Sequence, residues 1–204
     1  MSPYDLDLDH PPALNADRMV NIALSTLWQG VSPMALAKAY LDWGMHVGLS
    51  PGKQQWLVAK ALRKWHRFML YAAAWMREQA GLGEGRLAPC IEPLPQDRRF
   101  RDPLWRTWPF DFYWQTFLLV QQWAYNATTG VRGVSPHHEQ IVTFVTRQLL
   151  DMWSPSNFPL TNPVVIQRTV ASGGANVWQG MYNWWTDALL IASGRVPEGE
   201  DRYE

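Results

Sequence analysis

Cys90 is the single cysteine of the chain and the first residue to consider as a nucleophile. A hydrolase-type nucleophile elbow needs glycine two residues before and two residues after the nucleophile, because the turn there is sharp. Ala88 and Glu92 occupy those positions here, and no strand pattern precedes them. Free cysteines often behave as small apolar residues, so we expect a structural role for Cys90. A single cysteine also excludes an internal disulfide and a cysteine-based zinc cluster.

The second group that could do chemistry is the run His137-His138-Glu139. Neighbouring side chains on a helix point about 100° apart, so these two histidines do not share a metal as an i, i+4 pair does. Glu139 instead suits the positive end of a helix. No glycine loop with the pattern of a phosphate-binding site occurs. The sequence therefore predicts no catalytic residue, no cofactor-binding residue and no metal ligand.

The elements around these residues read as helices. Serine–proline and asparagine–proline pairs predict helix starts, because the first side chain caps free N–H groups and proline needs no N–H. Glycines predict the ends. The predicted helices cover residues 15–28, 32–47, 50–80, 109–128, 135–153, 162–171 and 174–192. No alternating strand pattern is present, so we expect an all-α fold with about seven helices in an irregular bundle and no α/β-hydrolase domain.

The predicted domain organisation follows the breaker residues. Residues 1–14 are expected to be a disordered N-terminus, and residues 15–81 a helical segment. Residues 82–101, rich in glycine, proline and charge, are expected to be a linker or a loop on the surface. Residues 102–194 should form a second helical region, and residues 195–204 a frayed tail.

The predicted helix over residues 51–78 is strongly amphipathic. A narrow arc of its wheel carries the cations Lys53, Lys60, Arg63, Lys64 and Arg67, and a broad arc carries Leu57, Val58, Ala61, Leu62, Trp65, Phe68, Met69, Ala72 and Met76. One interpretation is a surface helix with its apolar face in the core and its cations in water. The alternatives are a face that meets an anionic or lipid-like surface, or one that contacts an acidic partner protein.

Aromatic residues are the other unusual feature. The chain has 13 tryptophans among 204 residues, more than a core of this size needs, so some should lie at an interface. The helix over residues 109–128 is apolar except for a stripe of Asp111, Gln115, Gln122 and Asn126, so it is either a central core helix or one covered by a second domain or copy. The candidate partner contacts are Trp114, Trp123, Trp178, Trp184 and Trp185.

The composition excludes several classes of protein. A formal net charge of zero argues against a dedicated nucleic-acid binder. No window has the about 18 uninterrupted apolar residues of a transmembrane segment. With 47% apolar and 18% charged residues, the chain can bury a core.

Two groups of motifs resemble a known family. The first is Asp97-Arg98-Arg99-Phe100 with Asp102-Pro103-Leu104-Trp105 and Trp108-Pro109-Phe110. The second consists of Ser154, Pro155, Ser156, Asn157, Phe158, Thr161, Asn162, Pro163, Gly173 and Gly174. In this order they resemble the N-terminal region of polyhydroxyalkanoate synthases, the poly(3-hydroxybutyrate) polymerases. The segments Tyr40-Leu41-Asp42-Trp43 and Leu49-Ser50-Pro51-Gly52-Lys53 look like the extra segment that precedes this region in some members.

The resemblance implies a role in polyester synthesis without the catalysis itself. The synthases are acyltransferases that polymerise 3-hydroxyacyl-CoA with a cysteine nucleophile, an aspartate and a histidine on a C-terminal α/β-hydrolase domain. None of the three has a match here, so no activity is expected of this chain alone, and we expect it to stop before that domain. The implied partners are the synthase catalytic domain, a second synthase copy, and the granule surface or a granule-associated protein. The implied location is the cytoplasm at the granule.

Overall fold

The computed structural model describes residues 32–193, apart from residues 84 and 86. These residues contain no strand, so the predicted all-α class is confirmed for them. They form six α-helices: α1 (Pro33–Gly48), α2 (Pro51–Gln79), α3 (Phe110–Thr128), α4 (Pro136–Met152), α5 (Pro163–Ala171) and α6 (Ala175–Ala192). Two short 3-10 helices cover Pro103–Arg106 and Pro155–Asn157. The predicted helix over residues 15–28, the N-terminus 1–14 and the tail 195–204 lie outside the described residues.

The helix starts follow the predicted pairs, although the Ser32 side chain before α1 makes no capping hydrogen bond. Helices α1, α2, α4 and α5 each begin at the proline of a serine–proline or asparagine–proline pair. At α5 the Asn162 Oδ1 atom accepts hydrogen bonds from the backbone N–H groups of Val164 and Val165, at 3.0 and 3.3 Å. Such a side-chain cap stabilises a helix by about 1 kcal/mol. Between α5 and α6, Gly173 and Gly174 have φ values of +57° and +88°, which favour glycine and end the helix.

The described residues divide into two compact units. One consists of residues up to 59 together with residues 124–147, and the other of residues 60–123 together with residues from 148 onward. In the first unit, Ala39 and Val142 are fully buried. The indole N–H of Trp43 donates to the Ala127 carbonyl oxygen at 3.0 Å, which ties α1 to the end of α3.

The second unit has an aromatic core. Phe100, Trp105, Trp114, Phe117 and Leu118 are buried together. The rings of Phe100 and Trp105 meet edge to face at 5.0 Å, and the Trp114 indole N–H donates to the Trp105 carbonyl oxygen at 3.0 Å. Perpendicular aromatic pairs of this kind stabilise a core beyond their buried area. Because Phe100 belongs to this core, the end of the segment 82–101 is packed against the helices.

Helix α2 presents a different face to its own chain than the wheel indicated. Phe68, Tyr71 and Trp75 point inward, and all three rings lie within 5.7 Å of the Phe112 ring on α3. Most of the large residues of the predicted apolar arc are exposed instead: Val58, Leu62, Trp65, Met69 and Met76. The interpretation that this arc fills the core is therefore wrong for these five. Phe68 of the same arc does face α3, and the remaining contacts come from Tyr71 and Trp75, which lie beside the arc.

Candidate interaction surfaces

A buried polar network connects α2, α3 and the loop before α3. The Tyr71 hydroxyl donates to Asp111 Oδ2 at 2.9 Å, and Gln115 Oε1 accepts from the Cys90 backbone N–H at 2.6 Å. The Gln115 side-chain amide also donates to the Asp111 carbonyl oxygen at 3.0 Å. Asp111 is 3% exposed and Gln115 is fully buried. The polar stripe predicted on this helix therefore faces inward at these two residues, where it fastens the loop to the helix.

Burial sets the ionisation of this network. It raises the pKa of Asp111 above the usual value, although hydrogen bonds from Tyr71 and the Phe112 backbone act in the opposite direction. It also raises the pKa of Tyr71 to about 12. The pKa of the Cys90 thiol is raised by burial as well, with the Arg67 guanidinium opposing the shift. A thiol with a raised pKa stays protonated at neutral pH, whereas a nucleophilic cysteine needs a lowered pKa.

The histidine run belongs to the start of α4 in the first unit. His138 Nδ1 lies 2.6 Å from Asp42 Oδ2, and His46 Nδ1 lies 3.0 Å from Asp42 Oδ1. The contact with His138 lowers the pKa of Asp42. Glu139 accepts a hydrogen bond from the Gly130 N–H at 2.8 Å. These contacts tie α1 and the turn before α4 together, which is a structural use of all four side chains.

The described part of the chain offers neither a metal site nor a membrane-crossing helix. No group of three or more histidine, cysteine, aspartate or glutamate side chains within it is arranged to hold a metal ion. Across the same residues, none of the helices is both long and apolar enough to cross a membrane.

The family motif over residues 154–163 forms a closed corner between α4 and α5. The Asn157 side-chain amide donates to the Asp151 carbonyl oxygen at 2.8 Å, and the Asn162 amide donates to the Ser156 carbonyl oxygen at 2.8 Å. The Thr161 hydroxyl donates to the Pro155 carbonyl oxygen at 2.7 Å. Since these polar side chains bind their own backbone, the motif positions α5 and is not arranged as a ligand site. Of the other motif residues, Ser154 and Pro163 are buried and Phe158 is partly exposed.

The earlier motif is a clamp on the C-terminal part of α4. The Arg99 guanidinium lies 2.7 Å from Asp97 Oδ2 and 2.7 Å from Asp151 Oδ1. It also lies 5.1 Å from the centre of the Phe117 ring, over the aromatic core. The Gln121 side-chain amide donates to the same Asp151 oxygen at 3.0 Å. Both stretches that carry the resemblance thus serve the packing of the second unit.

The predicted cationic face is largely engaged by the chain itself. The Lys53 ammonium donates to the Thr129 carbonyl oxygen at 2.7 Å, and the Lys64 ammonium donates to the Gln122 side chain. The Arg67 guanidinium reaches the Cys90 carbonyl oxygen at 3.5 Å. Burial lowers the pKa of both Lys53 and Lys64. Lys60 is partly buried, and Arg63 is exposed, so only part of this face remains for an anionic surface.

The predicted partner tryptophans fall into three classes. Trp114 is enclosed in the aromatic core, so it is a core residue of this chain and cannot contact a partner. Trp123 is partly buried. Trp178, Trp184 and Trp185 on α6 are between 59% and 72% exposed. The last three are therefore the tryptophans whose placement agrees with an interaction surface.

Helix α6 is apolar and exposed along its described length. It packs against α5, yet none of its described side chains is buried. Besides the three tryptophans, its exposed large apolar residues are Val177, Met181, Tyr182, Leu189 and Ile191. The polar residues Asn176, Gln179, Asn183 and Asp187 follow one narrow stripe. A helix with this distribution is normally buried on most sides.

Two features were missed by reasoning from the sequence. The burial of Asp111 and Gln115 depends on Tyr71 and on the Cys90 backbone, which are distant in sequence, so a wheel of α3 cannot show it. The exposure of one apolar face of α2 is the second feature, because the sequence alone leaves a core face, a lipid-like surface and a partner contact open. The apolar residues from Leu62 to Met76 recur at alternating steps of three and four residues. That spacing is typical of a helix face that packs against another helix, and it was the available signal.

The described residues thus form an all-helical protein whose motif side chains bond within the chain and whose helix α6 exposes a largely apolar surface. The family comparison gives this protein its class. Residues 96–197, half of the 204, match the model described as Poly-beta-hydroxybutyrate polymerase (PhaC) N-terminus. Residues 11–53 match a second model, Poly-beta-hydroxybutyrate polymerase N terminal. The chain belongs to the poly-beta-hydroxybutyrate polymerase N-terminal family.

Individual relatives carry names that agree with this family. The chain is 36% identical over 112 residues to a poly(3-hydroxyalkanoate) polymerase of Methylorubrum extorquens, covering 54% of this chain and 18% of that protein. It is 38% identical over 100 residues to a poly(3-hydroxyalkanoate) polymerase subunit of Rhizobium meliloti, covering 48% and 16%. It is 28% identical over 132 residues to a poly(3-hydroxyalkanoate) polymerase subunit of Cupriavidus necator, and the match covers 64% of this chain and 21% of that protein. The chain thus spans about a fifth of its relatives' length. No solved structure matches it significantly.

Proposed function

We propose that this chain is a non-catalytic interaction domain of a polyhydroxyalkanoate synthase, the acyltransferase that polymerises 3-hydroxyacyl-CoA. In this role it docks onto the catalytic portion of the polymerase through α6 and supports its activity. Dimerisation of the synthase and attachment to the polyester granule, directly or through a granule-associated protein, are further parts of the proposal. The site of action is the cytoplasm at the granule surface.

The exposed apolar surface of α6 is the observation that carries this proposal. Three tryptophans and five other large apolar side chains on one 18-residue helix are open to water. Soluble monomers rarely expose continuous apolar patches of more than a few hundred Å², and larger ones mark interaction sites. Trp is enriched among the residues that dominate binding energy. About four fifths of each of these relatives lies outside the region that matches this chain, and that portion of a polymerase is the cover that we propose for the helix.

The state of Cys90 supports the absence of catalysis in this portion. Burial raises the pKa of its thiol, and its own backbone N–H is bonded to Gln115. A thiolate nucleophile for acyl transfer needs a base or cation that lowers the pKa. We therefore expect no polymer formation by this chain alone.

The alternative of an independent lipid- or membrane-surface binder gains less support from the structure. Three cations of α2 that would have to meet the lipid are hydrogen-bonded to carbonyl or amide oxygens of the chain: Lys53, Lys64 and Arg67. Binding to anionic lipid contributes about 1 kcal/mol per cation near the surface, and this gain requires that the cations be free to approach it.

The test uses this chain and the Methylorubrum extorquens polymerase from which the matched 112 residues have been removed. We expect the two to co-purify and the chain to shorten the lag of polymer formation from 3-hydroxyacyl-CoA. The variant Trp178→Lys/Trp185→Lys should lose both effects, since two charges would have to be buried. Leu160→Lys, at a highly exposed position outside the helices, is the matched control.

Two results would contradict the proposal. One is that the polymerase fragment does not bind the chain and that adding the chain leaves the lag of polymer formation unchanged. The other is polymer synthesis by the purified chain without the fragment. Helicity measured by circular dichroism shows whether the α6 variant remains folded.

A further inference from the structure

The outward side of α1 is apolar along most of the helix. Its inward side is fixed by Ala39, which is fully buried, and by two hydrogen bonds. The Tyr40 hydroxyl lies 2.9 Å from the Thr146 hydroxyl on α4, and the Trp43 indole donates to the end of α3 at 3.0 Å. Every third or fourth residue of a helix returns to the same side. The outward side, which we call the α1 outer face, therefore consists of residues that are all exposed: Met34, Ala37, Lys38, Leu41, Gly44 and Met45.

The composition of the α1 outer face does not suit contact with water. A helix side that faces solvent normally carries charged and polar residues. This face has one, Lys38, whose long side chain can extend past an apolar neighbour to solvent. Its large apolar members Met34, Leu41 and Met45 are between 63% and 66% exposed. Such a face is normally covered by another element.

Gly44 is a second, independent sign of a close neighbour. Glycine inside a helix is destabilising relative to alanine. A Cβ atom at Gly44 would meet nothing within 4 Å among the described residues, so none of their contacts requires a glycine there. A second helix that approaches α1 closely would require it, because the side chains at the contact set the distance between two helix axes.

The residues directly before α1 have a pattern that matches this face. The sequence predicts a helix over residues 15–28, and one side of that helix is apolar: Ala16, Val20, Ala23, Leu24 and Leu27. The opposite side carries Arg18, Asn21 and Ser25. A helix this short is marginal in water on its own and is stabilised by packing of its apolar side.

We propose that residues 15–28 form a helix that packs antiparallel on the α1 outer face of the same chain. Four residues, 29–32, separate it from the start of α1, and loops of about 2–5 residues join antiparallel helix pairs. This short loop sets the register, in which Leu27 meets Met34 and Val20 meets Leu41. A single family model spans residues 11–53, which agrees with one unit that contains both helices.

The inference assigns the α1 outer face to the chain itself. A polymerase, a granule or any other partner then meets the back of the added helix and not α1. The inference does not rest on the function proposed for α6, so each can fail without the other.

Hydrogen exchange of the full chain tests whether residues 15–28 are held in place. The backbone N–H groups of residues 19–27 should exchange at least about tenfold more slowly than those of an unstructured chain. Leu41→Lys should remove this protection, because a charge would have to be buried between the helices. Met181→Lys, at a similarly exposed position on α6, is the matched control and should leave it unchanged. Protection of α4 in the same sample shows that the first unit of each variant remains folded.

A pair of cysteines tests the register without adding a charge. In a Cys90→Ser background, Val20→Cys with Leu41→Cys should form a disulfide within one chain on oxidation, because the two positions face each other. Arg18→Cys with Leu41→Cys is the control, since position 18 lies near the same height but on the other side of the predicted helix, and it should stay reduced. Mass spectrometry separates links within one chain from links between copies.

Three outcomes would overturn the inference. Residues 19–27 could exchange as fast as an unstructured chain. They could be protected and remain so in Leu41→Lys, which would place them on another surface. The cysteines at positions 20 and 41 could link no faster than the control pair, or only between copies.

Discussion

Replacing Tyr71 by phenylalanine tests the buried network of the second unit. The change removes one hydroxyl and leaves Asp111 Oδ2 without the donor that lies 2.9 Å away. Asp111 is 3% exposed, so water does not readily replace that donor. Loss of a hydrogen bond to a buried charged group costs about 1.5–3 kcal/mol. For a chain of this size that corresponds to a fall in Tm of roughly 3–12 °C.

The pH dependence separates this explanation from a simple packing effect. The Tyr71 hydroxyl lowers the pKa of Asp111, so in Tyr71→Phe that pKa rises further. The hydrogen bond to the carboxylate contributes stability when Asp111 is ionised, and the contribution is lost as the pH falls through its pKa. Urea denaturation should therefore give a large difference between wild type and variant at neutral pH and a smaller one in acid.

Tyr125→Phe is the control, because Tyr125 is an exposed tyrosine on α3. Its free energy of unfolding should change by less than about 0.5 kcal/mol. The reasoning is refuted if Tyr71→Phe is as stable as this control at neutral pH, or if its loss of stability does not decrease in acid.

Three further predictions concern other contacts. Asn162→Ala should cost about 1–2 kcal/mol in urea denaturation, because it removes a helix cap and the bond to Ser156; an unchanged midpoint would contradict the corner described above. Cys90 should react slowly with iodoacetamide at neutral pH and much faster in urea, since its pKa is raised by burial in the folded chain; equal rates would contradict this. Because the pKa of Asp42 is lowered from 3.8 by His138, the advantage of wild type over Asp42→Asn in Tm should disappear as the pH falls below that value; an advantage that persists in acid would count against the contact.

The sequence predicted the helices well because their ends are local events. Proline at the first position of α1 or α5, and glycine after α5, act on the backbone of a few neighbouring residues. The same reasoning explains why Asn162 could be identified as a cap before its bonds were seen. The predicted roles of Lys53, Lys60, Arg63, Lys64 and Arg67 in binding a partner stay predictions.

Which face of each helix is buried could not be derived in the same way. Both the arc of Leu62 and the arc of Tyr71 on α2 are apolar enough to fill a core, and Phe112 on α3 decides between them. Likewise Asp111 is buried because a tyrosine forty residues earlier supplies a donor. Such choices depend on pairs that are distant in the chain, and no single helix contains the information.

The closed corner between α4 and α5 has a consequence for how this protein is recognised. Its asparagines and threonine bind the backbone of the same corner. The stretch that carries the family resemblance therefore connects two helices and is not itself a binding surface. Substitutions on α6 could redirect the domain to another companion while every recognisable residue stayed in place. Similarity at this corner therefore reports how α4 and α5 are joined, whereas the surface that we propose for docking lies on the tryptophans of α6.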